Sequence, residues 1–206
     1  EDMCNGYGID SLYNTVVFGE DPDDRLMDFG IGLLDKIGGK PFFLTVLNFS
    51  THTPFYDHFP LRLRTFHGKG VPQDKIGFYE RANFFDYHLD RFLKALKAKG
   101  LWENSLVVLV ADHHLNEWMI NNKRSKIPFI ITGGYHSPLL PGRAKSSDDI
   151  YQTDFYPTML ALLGVEQKWS GVGRNIFSKN SKRMSKSDKQ QLSDMILETN
   201  WFAHNK

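Results

Sequence analysis

Three short apolar runs limit what this chain can fold into: PFFLTVLNF at 41–49, SLVVLVAD at 105–112 and IPFIITGG at 127–134. Each is too short for most helices and too continuously apolar for a strand with one wet face, so each reads as a buried strand. Helical patterns lie between and around them. Asp23 and Asp24 suit the start of a helix over Pro22–Ile37, and Gly38-Gly39 stops it. From Gln73 to Lys99, Ala82, Phe85, Asp86, Leu89, Phe92, Leu93 and Leu96 recur at three- and four-residue intervals, with Gly100 as the break. Asp86 inside that stripe is expected to need a structural hydrogen-bond partner. A further helix is expected near 151–163, beginning close to Phe155 because Pro157 lies within it, and Gly164 follows its end.

Strands alternating with helices predict an α/β protein with a mostly parallel sheet and helices on both faces. In such sheets ligands bind beyond the carboxyl ends of the strands. The first run ends at His52, the second at Asp112-His113-His114 and the third at Gly133-Gly134-Tyr135-His136. All three are therefore expected to deliver histidine to one edge. Asp112 and His113 can offer a carboxylate oxygen and an imidazole nitrogen to a divalent cation, a mixed set that suits Zn or Mn better than Mg or Ca. His52 would be a third ligand or a donor to an anionic substrate oxygen, and His114 and His136 are further candidates. A metal there would polarise a phosphoryl or sulfuryl oxygen.

Other chemistries find less support. A net charge of +1, with no aromatic residues interleaved among the basic ones, gives no reason to expect nucleic acid as a partner. The single cysteine, Cys4, excludes an intrachain disulfide framework. There is no G-x-S-x-G elbow, Walker loop or G-x-G-x-x-G fingerprint, and GVGRN at 171–175 follows no strand. No apolar run approaches the ~18 residues of a membrane span. The opening on Glu1, with no capped element, reads as a piece of a longer protein. The polar stretch KNSKRMSKSDKQQ leads to MILETNWF, read as an edge strand.

The order KPFFLTVLNFSTHTPF, YERANFFDYHLDRFLKALKAKGLWENSLVVLVADHH, KIPFIITGG and YQTDFYPTMLALLGV resembles the C-terminal part of a sulfatase-like domain of the alkaline phosphatase superfamily. The lipoteichoic acid synthase and phosphoethanolamine transferase branch is the most similar. The resemblance implies a partial catalytic domain over residues 1–178, with 179–206 as a polar stretch and tail. It implies that Asp112 and His113 are metal ligands and that His52 contacts the substrate's phosphate or a second metal. The ion implied is Mn or Zn, or Ca or Mg in a true sulfatase. It implies an anionic ester substrate (phospholipid head group, glycan or sulfate ester) and work on the extracytoplasmic face of a bacterial membrane, anchored through a missing N-terminal region. His114 stands where the family usually has Gly. The family's nucleophile lies upstream, and no residue before His52, Thr15 included, reproduces its setting. Two rivals remain: an Asp-His-His phosphoesterase, suggested by VADHH alone, and a non-catalytic metal- or anion-binding domain of the same fold.

Overall fold

The structure is a computed structural model, describing residues 22–37, 39–53, 55, 70–114, 126–140, 150–165, 173–178 and 184–198. Cys4, Thr15 and residues 54 and 56–69 lie outside the described residues. The chain divides into two compact units, Glu1–Tyr135 and His136–Lys206.

In the first unit, α1 (Pro22–Ile37) and α2 (Gln73–Ala98) pack on each other. Helix α1 buries one stripe, Asp23, Met27, Gly30 and Leu34, at the spacing a 3.6-residue period requires. Gly30 permits the close approach, since a Cβ there would meet the Phe92 ring at 3.3 Å. Ile76, Arg81, Phe84, His88 and Leu96 form the buried face of α2. Asp86 is exposed. It sits two residues from Phe84, about 200° round the helix, so it does not lie on the buried face as the apolar stripe implied. Arg91 pairs with Asp28 at 2.7 Å, and Lys99 with Asp35. Helix α2 ends as Gly100 foresaw: that glycine has φ 68°, and Leu101 N–H closes onto Leu96 O.

A 3-10 turn, Trp102–Asn104, then feeds β1 (Leu106–Val110), which pairs with β2 (Phe129–Gly133). The pairing is antiparallel, with Leu106 opposite Gly133 and Val110 opposite Phe129. This corrects the parallel sense expected for these two runs. It also corrects the single histidine-bearing edge, because antiparallel strands carry their carboxyl ends to opposite ends of the ladder. Asp112 leaves at the Phe129 end, while Gly134 and Tyr135 donate their N–H groups to Trp102 O and Ser105 O at the other. Gly133 has φ 123°, and a Cβ there would lie 2.0 Å from Ser105 O, so only glycine fits.

The run 41–49 is not a strand. Among the described residues no backbone pairs with it, and Phe43 and Leu47 are 88% and 75% exposed. Apolar composition favours a strand only where a neighbour completes the ladder, so the expected burial is absent here.

In the second unit a 3-10 turn, Gln152–Asp154, leads into α3 (Phe155–Leu162). The buried Asp154 accepts N–H groups from Tyr151 (3.0 Å) and Arg174 (2.9 Å). Fully buried Thr158 accepts Ile176 N–H at 3.2 Å. Gly173 is required there, since a Cβ would stand 1.7 Å from Thr153 O. The first four residues of the expected edge strand, 195–198, instead end α4 (Lys186–Glu198), and 199–202 lie outside the described residues. Ser185 and Asp188 exchange hydrogen bonds at 3.0 and 3.1 Å, a capping box that starts a helix in residues with good helical propensity.

Candidate functional site

β1 ends at Val110, and the backbone bends immediately at Asp112 and His113. That bend removes the strand's alternation and lets two consecutive side chains face each other. Asp112 Oδ1 accepts the His113 backbone N–H at 2.8 Å, which orients the carboxylate. His113 Nδ1 donates to the His114 carbonyl at 2.8 Å. A carbonyl can only accept, so the proton of the neutral ring is on Nδ1 and the lone pair on Nε2. Nε2 stands 3.6 Å from Asp112 Oδ2. That is too long for a hydrogen bond. It is close to the ~3.3 Å expected between two donors each about 2.0–2.1 Å from a tetrahedral ion. Both side chains are exposed, so a hydrated ion can reach them. The pair therefore fits a divalent cation bound by one oxygen and one nitrogen. The half-buried His114 enters through its carbonyl, which sets the tautomer of its neighbour.

His52 occupies a tight turn closed by its own N–H on Phe49 O at 2.9 Å. Its ring lies flat against the Phe49 ring, with centroids 4.8 Å apart and planes inclined by 9°. Nδ1 donates to Thr53 O, so here too Nε2 is the outward nitrogen. His136 is exposed and opens the second unit. Among the described residues no three His, Cys, Asp or Glu side chains converge as a metal-binding group. The Asp112–His113 pair is thus drawn together, and the remaining candidates are placed singly.

Two residues that matter locally were given no site role by the sequence, which read Asp23 only as a helix-starting residue. Asp23 is fully buried and hydrogen-bonds the turn carrying His52; the signal was its place on the Met27, Gly30 and Leu34 stripe. His88 is buried between α1 and α2, with Arg91 donating to its Nδ1 at 3.0 Å. Burial lowers its pKa, and the Arg91 guanidinium adds to that, against opposing effects from Asp24, Asp28 and Asp23.

The Sulfatase family model matches residues 3–165. The chain belongs to the Sulfatase family. Among curated proteins, it is similar to the lipoteichoic acid synthases of Staphylococcus aureus strains USA300, NCTC 8325 and COL. Each is 27% identical over 197 residues, covering 84% of this chain and 30% of the relative. The sulfatase chain thus spans about a third of the length of these relatives. No solved structure matches it. Sulfatase membership carries the alkaline phosphatase-like α/β class, and it leaves the Asp-His-His phosphoesterase reading without support. Among the described residues no helix is long and apolar enough to cross a membrane.

Proposed function

We propose that this sulfatase chain supplies the metal-holding and anion-contacting part of a phosphoryl- or sulfuryl-ester hydrolase or transferase. The observation that carries the proposal is the Asp112 Oδ2 and His113 Nε2 pair, 3.6 Å apart at the end of β1. Asp112 and His113 would hold the ion, with the His114 carbonyl fixing the imidazole. When bound, a divalent ion supplies Lewis-acid polarisation of the ester and neutralises developing negative charge. Zn or Mn suits this donor pair. His52 would contact the substrate's anionic oxygen, as a donor when protonated, since its neutral tautomer presents a lone pair at Nε2. Within the intact protein a hydroxyl attacks phosphorus or sulfur, the alcohol leaves, and water or an acceptor alcohol resolves the covalent ester. We assign that hydroxyl to the part of the relatives this chain does not span, together with any membrane anchor. The anionic ester substrate and a site of action outside the cytoplasm rest on similarity to lipoteichoic acid synthases.

The test is a Zn²⁺ titration of the full chain, followed through the imidazole nitrogens. His113 Nε2 is expected to shift first, among the eight histidines. Partners that merely orient a ligand are worth 10–100-fold in affinity, so Asp112→Ala or His113→Ala is expected to weaken binding by about 100-fold or more. Binding that is indifferent to both substitutions would remove the assignment.

A further inference from the structure

We infer that Asp23 is a positioning residue for His52, acting through Phe49. The inference rests on His52 being the group that meets the substrate; the geometry behind it belongs to the turn itself.

Asp23 lies in the first turn of α1, where the helix N-terminus favours negative charge. It is 0% exposed, which is exceptional for a carboxylate. A single oxygen, Oδ1, accepts two successive backbone N–H groups, Phe49 at 2.8 Å and Ser50 at 3.2 Å. These open the turn that His52 closes with its N–H on Phe49 O. Among the described residues the second oxygen, Oδ2, is buried with no hydrogen-bond partner. A buried carboxylate whose second oxygen is unsatisfied is costly, and two backbone bonds on one atom would not by themselves favour it over a smaller neutral acceptor. Its position is explained if the turn it fixes has work to do.

The consequence reaches the imidazole by a short path. Fixing Phe49 N–H restrains the backbone from which the Phe49 side chain springs. The Phe49 ring then lies parallel to His52, and Thr53 O accepts from Nδ1. Stacking sets the ring plane, and the Nδ1 bond selects the face and the outward nitrogen. Asn48 Nδ2 donates to Thr51 Oγ1 at 3.1 Å inside the same turn. The far side is anchored separately. Phe55 packs where Gly77 of α2 carries no side chain, since a Cβ there would come within 2.9 Å of Phe55 Cβ, and its ring meets Phe78 edge-on. The turn is thus held by a carboxylate from α1 at one end and by an aromatic seat on α2 at the other. With Nδ1 engaged by Thr53 O, the exposed ring of His52 presents Nε2 as its outward nitrogen, aimed by its described neighbours. This is how an exposed side chain on a loop acquires the fixed orientation that contact with an anion demands.

The test reads the ring, with neither metal nor substrate present, so its failure is separate from failure of the metal titration. Ring-proton shifts of His52 and exchange rates of the Phe49 and Ser50 amides are measured in the full chain and in Asp23→Asn, Asp23→Ala and Phe49→Leu. The Asn oxygen can still accept both N–H groups, so Asp23→Asn is expected to retain the upfield shift that stacking imposes on His52, with slowed amide exchange. Asp23→Ala is expected to lose both. Phe49→Leu is expected to lose the shift and keep the slow amides. His113 signals are expected to stay in place throughout, which separates positioning from general loosening. A stacked His52 in folded Asp23→Ala would overturn the inference. So would loss of the shift in folded Asp23→Asn, and that outcome decides the matter even if the Ala variant does not fold.

Discussion

His88 shows how one buried side chain can tie stability to pH. Arg91 donates to Nδ1, so the neutral ring keeps its proton on Nε2, and protonating Nδ1 would break that bond and bring two cations together. Burial first, and the Arg91 charge second, hold its folded pKa below the ordinary 6.5. Across the interval between the lowered value and 6.5 the unfolded chain binds more protons than the folded one. Stability accordingly falls as pH drops below 6.5 and levels off beneath the folded pKa. One proton limits the contribution to about 1.4 kcal/mol per pH unit. Urea unfolding of the chain is expected to show this decline, and His88→Gln to flatten it. Equal slopes in the two proteins would place the pH dependence elsewhere. Nothing in the sequence marks His88 as buried: it stands among Tyr87, Leu89 and Asp90, and its burial comes only with the packing of α1 on α2.

Helices α1, α2 and α3 were legible as elements because their signals are local, whereas α4 was read as a polar stretch and a strand. Proline, acidic residues and glycine bracket α1, and Gly100 and Gly164 end α2 and α3 in left-handed conformations. Strand relationships were not legible, since nothing in IPFIITGG encodes the direction of its partner, and the antiparallel ladder separates histidines that a parallel one would have gathered. The run 41–49 shows the same gap in another form. It has the composition of a core strand, yet Phe42, Phe43, Leu47 and Phe49 are all exposed. Such an exposed apolar segment, with no strand partner among the described residues, is a template for association with other chains. Phe43→Lys with Leu47→Lys is expected to raise the concentration at which the chain stays monodisperse in light scattering, with little change in thermal unfolding. A large loss of stability would mean that these side chains are packed in solution.

For the whole chain, the candidate site was legible as chemistry and only partly as geometry. Asp112 and His113 came together because a bend at the end of one strand suffices, whereas a third ligand must come from another element, and among the described residues none joins them. That incompleteness bears on activity. A sulfatase chain that covers 30% of the length of its lipoteichoic acid synthase relatives carries, on the proposal above, a metal pair and an anion contact without a nucleophile. Groups that act as one catalytic unit are strongly non-additive, and losing one of them costs nearly as much as losing all. The chain is therefore not expected to keep a proportionate share of turnover. With saturating Zn²⁺ or Mn²⁺ it should cleave an aryl phosphodiester or aryl sulfate no faster than the metal in buffer, even while His113 binds the ion. Turnover above that blank, abolished by His113→Ala, would mean that a nucleophile lies within these 206 residues. The covalent step would then have to be reassigned to this chain. Metal binding without turnover is what a site holding its ligands but not its hydroxyl must give.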